Sequence, residues 1–299
     1  MKRFQHIVGH LTLNDSDAEV LAWISNVASL ASSTRITLVH AWLPIEIPAA
    51  VRERYPWLVE PGAKVAEQRA RELVETHLQT PDSVEVSFEV RQGNALGELL
   101  EVIERDGADL VVAGRDEANI YLVEKLARKA PCSVLAVPAG VGTGFRKVLA
   151  AVDYSAFSLQ ALDVGHAFAQ AGQAGLTLFH AFSLPWGHQR ATVPKDRLLT
   201  DLENHHREQL ERLVRSINLT GVMPELHLRE SALPAFAIAD AVRQGAHDLV
   251  VIGCRGRDSV YATLLGSTAE EILRTCPVPV VAVKAKGSGK AFLETLRRG

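Results

Sequence analysis

Asp248-Leu249-Val250-Val251-Ile252-Gly253-Cys254-Arg255-Gly256, then Arg257 to Leu265, then Gly266-Ser267-Thr268-Ala269-Glu270-Glu271-Ile272-Leu273 is the stretch on which the chain is organised. Its apolar run up to Ile252 has the length and branching of a strand buried on both faces, and Ala269 onward has the composition of a helix start. The glycines therefore stand between a strand end and a helix N-terminus. Backbone N–H groups and the positive end of a helix dipole hold anions at such places, each contact worth about 0.3–1 kcal/mol near the surface. Phosphate is the natural ligand. A plainer reading uses the same residues: Ser267 with Glu270 spells a capping box, and the glycines merely make turns.

Outward from this stretch, the chain reads as one unit written twice. Ile36–Trp42 matches Leu176–Phe182, with His40 falling on His180; Phe4–Val8 matches Phe145–Leu149; Ala108–Gly114 matches His247–Gly253. Strands are expected near Gln5–His10, Ile36–Ala41, Ser83–Arg91, Leu110–Ala113 and Ser133–Val137, and again near Lys147–Val152, Leu176–Ala181, Glu225–Arg229, Leu249–Ile252 and Val280–Val283. Helical period runs through Asp17–Ala31, Ala63–Gln79, Leu96–Asp106, Ser158–Ala171, Arg197–Ile217 and Ala235–Gln244. Strands alternating with helices imply right-handed crossovers and parallel sheets covered on both faces. The expected architecture is α/β, two tandem doubly wound domains at 1–140 and 145–285, joined by the Gly/Pro-rich Pro138–Gly144, with a loosely attached tail at 286–299.

The spacing Gly-two-Gly-nine-Gly-Ser, between a Val/Ile strand and Pro277-Val278-Pro279-Val280-Val281-Ala282-Val283, resembles the nucleotide loop of the universal stress protein family. To about Lys284 the whole chain is similar to a tandem of two such domains. The resemblance implies an adenine nucleotide α-hydrolase-like fold, each domain with a five-stranded, mostly parallel sheet. Its first and fourth strands would lie side by side where the winding reverses, the usual ligand position in open α/β sheets. In the family the loop wraps the ribose and phosphates of ATP. Family dimers pair through their last strands, so a tandem chain would set Ser133–Val137 against Val280–Val283 as an intramolecular pseudo-dimer, covering two edges, with further dimerisation left open.

The family also uses an aspartate at the end of the first strand to accept a hydrogen bond from adenine. Here that residue is Asp153, within Val152-Asp153-Tyr154-Ser155. An ionised carboxylate only accepts, so it favours an amino-bearing base, by on the order of 1.5–3 kcal/mol. Alternatively, Asp153 is a helix N-cap. The implied site holds Asp153, Tyr154 and Ser155 with backbone near Ala181 at the base. Gly253, Gly256 and Gly266 admit the phosphates, and Ser267 and Thr268 donate to them. Arg255 and Arg257 either add charge or face solvent. The ligand is ATP, or ADP or AMP, with or without Mg. In the first copy Thr12 replaces the aspartate, seven residues are missing from the loop, Gly114-Arg115-Asp116-Glu117 replaces the paired glycines, and Ile120-Tyr121 falls where Gly266-Ser267 would be. Asp116 and Glu117 would repel phosphate. One competent site, in the second domain, is expected.

Composition narrows the functions. At 299 residues, 47% hydrophobic and 22% charged, the chain has room for two cores, and a net charge of −3 gives no basic excess for nucleic acid. Met1–His10 lacks the apolar segment of a signal peptide, and no run of about 18 apolar residues exists, so a cytoplasmic protein that avoids membranes is expected. Cys132 and Cys276 read as small core residues, whereas Cys254, flanked by arginine, has a redox alternative. Gly287-Ser288-Gly289-Lys290 lacks the leading glycine and trailing hydroxyl of a P-loop. His205-His206 reads as a solvated face and His188 as a loop residue, none at metal spacing. Trp42, Trp57 and Trp186, near Pro44, Pro48 and Pro185, read as lids or packing anchors that border the ligand at most. Neither a Gly-x-Ser-x-Gly elbow nor a Rossmann fingerprint is present. Nothing resembles a general base over a γ-phosphate. The expected function is thus an ATP-binding stress-response regulator with an unidentified protein partner. A scaffold with a vestigial site, a weak ATPase and an ATP-using α-hydrolase-like enzyme are the alternatives.

Overall fold

The computed structural model describes residues 3–43, 48–54, 63–144, 146–188, 193–217, 219–255 and 265–284. The chain divides into two compact units, Met1–Thr143 and Gly144–Ala285. The first runs β1 (His6–His10), α1 (Asp17–Ala31), β2 (Arg35–Trp42), α2 (Ala49–Arg54), α3 (Ala63–His77), β3 (Glu85–Gln92), α4 (Ala95–Asp106), β4 (Leu110–Arg115), α5 (Ile120–Lys129) and β5 (Ser133–Pro138). The second runs β6 (Lys147–Ala151), α6 (Ala156–Gly172), β7 (Gly175–Phe182), α7 (Lys195–Ser216), β8 (Glu225–Glu230), α8 (Pro234–Gly245), β9 (Leu249–Gly253), α9 (Ser267–Thr275) and β10 (Val280–Val283). Neither α2 nor α5 has a counterpart among the helical ranges of the sequence reading. Pro44, Trp57, Gly256, Arg257 and the tail lie outside the described residues.

Strand order is β3-β2-β1-β4-β5 in the first unit and β8-β7-β6-β9-β10 in the second, each adjacent pair parallel. The first and fourth strands of each unit are neighbours, as expected: Val8 is level with Val111, and Leu149 with Val250. The fourth strands open on apolar runs because both faces are covered there. Leu110, Val111, Val112 and Ala113 are fully buried, as are Leu249, Val250 and Val251. In α1, Val20, Leu21, Trp23, Ile24, Val27, Ala28 and Ala31 form the buried stripe, each large aliphatic side chain worth about 1.5–3 kcal/mol in burial.

Duplication extends to details below the reach of hydrophobic pattern. Asp109, just before β4, accepts the N–H groups of Gln5 and His6; Asp248, just before β9, accepts those of Arg146 and Lys147. The carboxylate thereby satisfies two backbone donors at the start of each central strand. His40 Nδ1 lies 2.9 Å from the Leu11 carbonyl, and His180 Nδ1 lies 2.7 Å from that of Val152. A carbonyl only accepts, so Nδ1 carries the proton in both. Left-handed residues recur in register too: Leu13 (φ 62°) with Tyr154 (64°), Ser32 (51°) with Gln173 (51°), and Gly107 (65°) with Ala246 (49°). No helix among the described residues is long and apolar enough to cross a membrane.

Candidate functional site

At the carboxyl end of β6, Val152 N–H donates to the Phe179 carbonyl (2.9 Å), tying the strand end to β7. Asp153 follows, part-buried, and its Oδ1 accepts the Ser155 N–H at 3.0 Å. Ser155 caps α6: its hydroxyl oxygen accepts the Ser158 N–H (3.2 Å), and Ser158 Oγ donates back to the Ser155 carbonyl (3.0 Å). The helix-cap alternative for Asp153 is therefore corrected. Ser155 holds that role, and Asp153 braces the turn two residues earlier. Ala181 lies on β7 two residues past Phe179, level with Arg229 of β8.

The second part of the site leaves β9. Cys254 N–H donates to the Val283 carbonyl (3.1 Å), and Gly266 N–H donates to the Cys254 carbonyl (2.9 Å), so the two ends of the glycine loop are pinned together. Gly256 falls between them, outside the described residues. Gly266 is the N-cap of α9 at φ −65°, ψ 143°, and among the described residues no side-chain cap is made there. The capping-box alternative for Ser267 is corrected by one residue: Ser267 is the first helical position and Thr268 the second. Glu270 then lies one place too far along to close the box, and its N–H bonds the Gly266 carbonyl instead. The first-turn N–H groups of Ser267, Thr268 and Ala269 have no acceptor within the helix. Their donor ends and the helix dipole suit a negatively charged group.

Phe157, a residue the sequence reading passed over, joins the two parts. A Cβ on Gly253 would meet its backbone carbon and oxygen at 3.0 Å, so Gly253 has a packing reason of its own: it lets α6 approach the end of β9. The Arg255 guanidinium lies 5.3 Å from the centre of the Phe157 ring, a cation–π contact that turns it toward α6. Cys254 is fully buried. Burial pushes its thiol up to about 11 and outweighs Lys284 and Arg255, which pull it down, so the redox alternative is corrected: the thiol stays protonated at neutral pH. Cys132 and Cys276 are buried, as expected.

Two further readings change. Trp186 is 96% exposed, so it is no packing anchor. His205 is exposed, but His206 is part-buried, its ring 4.8 Å from His180, 5.0 Å from Phe182 and 6.2 Å from Tyr154. Tyr154 in turn lies 4.5 Å from His180, and its hydroxyl donates to the His206 carbonyl at 3.1 Å. Only the tertiary fold brings α7 over this turn, so local polarity in the sequence carried no signal of it.

In the first unit the same two places are closed by the chain's own carboxylates. Asp17, 1% exposed at the start of α1, accepts from Thr12 N–H (3.1 Å), Thr12 Oγ1 (3.1 Å) and Leu13 N–H (2.6 Å). Burial nonetheless raises its carboxyl above the ordinary value. After β4, Asp116 Oδ1 accepts Asn119 N–H (2.8 Å) and Asn119 Nδ2 (2.9 Å), closing a four-residue turn into α5. Among the described residues no cluster of three or more His, Cys, Asp or Glu side chains is arranged to hold a metal ion.

Two tandem doubly wound α/β units, each with its first and fourth strands adjacent and one with a glycine loop beyond the fourth, define a class. The model of the universal stress protein family matches residues 3–138 and again 144–284, and the chain belongs to that family. A universal stress protein encoded in the 3′ region of a QAH/OAS sulfhydrylase in Thermus aquaticus is 31% identical over 140 residues, 47% of this chain and 99% of that protein. Bacillus subtilis universal stress protein YxiE is 27% identical, over 46% of this chain and 99% of that protein. Among solved structures, a universal stress protein from Archaeoglobus fulgidus aligns over 95% of this chain and 98% of its own with a TM-score of 0.63 at 18% identity, a likeness of fold.

Proposed function

We propose that the chain is a stress-response regulator that binds an adenine nucleotide in its second unit and acts through binding, with ATP hydrolysis weak at most. The observation that carries this reading is the pairing of a strand-end carboxylate, Asp153, with a pinned glycine loop and a helix N-terminus that begins on Gly266, joined through Phe157 at the point where the winding reverses. Asp153 would accept from the exocyclic amine of adenine, with Tyr154 and the backbone near Ala181 beside the base. The N–H groups and hydroxyls of Ser267 and Thr268, with Gly266, would hold phosphate oxygens. Gly253 and Arg255 contribute by positioning the loop against α6. The donor set fits a nucleotide phosphate. Mg²⁺, where it accompanies the nucleotide, would be bound largely through the phosphates.

The first unit has its equivalent positions filled by Asp17 and Asp116 and serves as a structural half. Calorimetric titration of the full chain with ATP and GTP tests the reading. ATP should bind at least about tenfold more tightly than GTP, because Asp153 would accept from the amine at the six-position of adenine, where guanine places a carbonyl oxygen that the carboxylate repels. An absence of heat with either nucleotide would leave the scaffold reading in its place.

A further inference from the structure

We propose that Tyr154 couples the nucleotide site to α7, so that occupancy of the site is reported by the position and rigidity of that helix. The inference rests on the reading of Asp153 as the residue that meets the base. Tyr154 stands between Asp153 and Ser155 with φ at 64°, a left-handed conformation that L residues other than Gly, Asn and Asp adopt at a cost. Two contacts hold it there. Its hydroxyl donates to the His206 carbonyl, and its ring packs on His180, which is bonded to the end of β6. One side chain therefore links the base-reading turn, the tip of β7 and the middle of α7.

Helix α7 is suited to respond. It spans 22 residues, yet Leu210 is the one buried residue among its described residues, whereas the shorter α6 buries eight. Its outward side carries the Glu203–Arg207 and Glu211–Arg215 pairs, all exposed. A helix with so little buried apolar surface opens easily, and each point of attachment weighs heavily on its local stability. The cluster of His206 with Phe182, His180 and Tyr154 is such an attachment.

The first unit shows what the turn does without the link. Leu13 keeps the left-handed conformation (62°) but brings no hydroxyl, and Asp17 braces the turn from within α1. The hydroxyl latch thus occurs in the unit whose strand end carries the carboxylate. If a base fixes the turn at Asp153, Tyr154 is fixed with it, and α7 has less freedom left to lose on docking. Nucleotide and helix then favour each other by the same factor in both directions.

Hydrogen exchange on the full chain with and without saturating ATP, repeated on Tyr154→Phe, tests the coupling. In the wild type, ATP should slow exchange of the α7 amides around residues 203–210 and leave those of α3 unchanged. In Tyr154→Phe, ATP affinity should fall about fivefold, the worth of one hydrogen bond, and binding should no longer slow exchange in α7. A wild type that binds ATP without any change in α7 overturns the coupling and leaves the proposed function standing. A wild type that binds no ATP overturns both. Should the variant unfold, the wild-type comparison of α7 with α3 decides alone.

Discussion

The strand-end turn of the first unit and that of the second share a backbone and differ in which residue supplies the carboxylate. Both carry a left-handed residue three positions past the central strand, and both are tied to the neighbouring strand by a histidine Nδ1. In the first unit Asp17 reaches back from α1 and consumes the turn's donors, and Asp116 closes the turn after β4. In the second, the carboxylate lies on the turn itself, and thirteen residues, of which Gly256 is one, separate the end of β9 from the start of α9. The inherited frame is the same. Moving one acidic side chain by five positions, and removing part of a loop, separates the turn proposed to face a ligand from one that satisfies itself.

The harshest way to break that comparison is Gly266→Val. At φ −65°, ψ 143° the backbone tolerates a branched side chain, so thermal stability should shift little, within about 1 kcal/mol for the altered cap, while the bulk obstructs approach to the first turn of α9. ATP binding should vanish in calorimetry; retention of wild-type affinity would show that the phosphates do not sit there. Next in size is Asp153→Asn. The amide oxygen still accepts the Ser155 N–H, preserving the turn, but its NH₂ group offers a donor where the base needs an acceptor. Affinity for ATP should fall about 10- to 100-fold and the preference over GTP should disappear. Unchanged discrimination would remove Asp153 from the base.

A third test bears on the first unit's stability. His10 is buried, and desolvation with repulsion from His40 lowers its pKa to about 4, against a weaker pull upward from Asp116. The unfolded chain therefore takes up this proton first. The contribution of the neutral imidazole is complete above about pH 6.5 and is lost as pH falls toward 4, amounting to about 2 kcal/mol by pH 5. Asp17 works in the opposite sense: its raised carboxyl gains stability as it protonates, at lower pH. Urea unfolding from pH 7 to pH 5 should show the loss, and His10→Leu should flatten the curve. An equal slope in the variant would assign the effect to other groups.

Much of this fold is legible in the sequence. Parallel strands covered on both faces read as near-continuous apolar runs, so Leu110–Ala113 and Leu249–Ile252 were recognisable at a glance, and the repeat supplied the connectivity. Asp153 and the spacing of the glycines were legible because both are local. What stayed hidden depends on distant residues meeting. Tyr154 and His206 are 52 positions apart, and a histidine on a polar helix gives no sign that it will lie against Phe182. The cap of α9 falls on Gly266 rather than Ser267 because the Gly266 N–H is drawn to the Cys254 carbonyl, a bond across the whole loop. Likewise Asp17 reads as an ordinary first-turn acid of α1. Only its contact with Thr12 and Leu13 identifies it as the group that braces the first unit's strand-end turn.

The mildest prediction sharpens the comparison from the silent side. Thr12 occupies the position of Asp153, and its hydroxyl donates to Asp17. Thr12→Val keeps the branched shape and the backbone N–H bond but removes that hydroxyl, leaving a buried carboxylate with one donor fewer. Urea unfolding should record a loss of about 0.5–1.5 kcal/mol. Calorimetry should record the wild-type affinity for ATP, since the donors of this turn face a carboxylate of the chain and not a ligand. If the substitution weakened ATP binding as well, the first unit would be a participant in nucleotide recognition, and the division of labour drawn between the two turns would have to be abandoned.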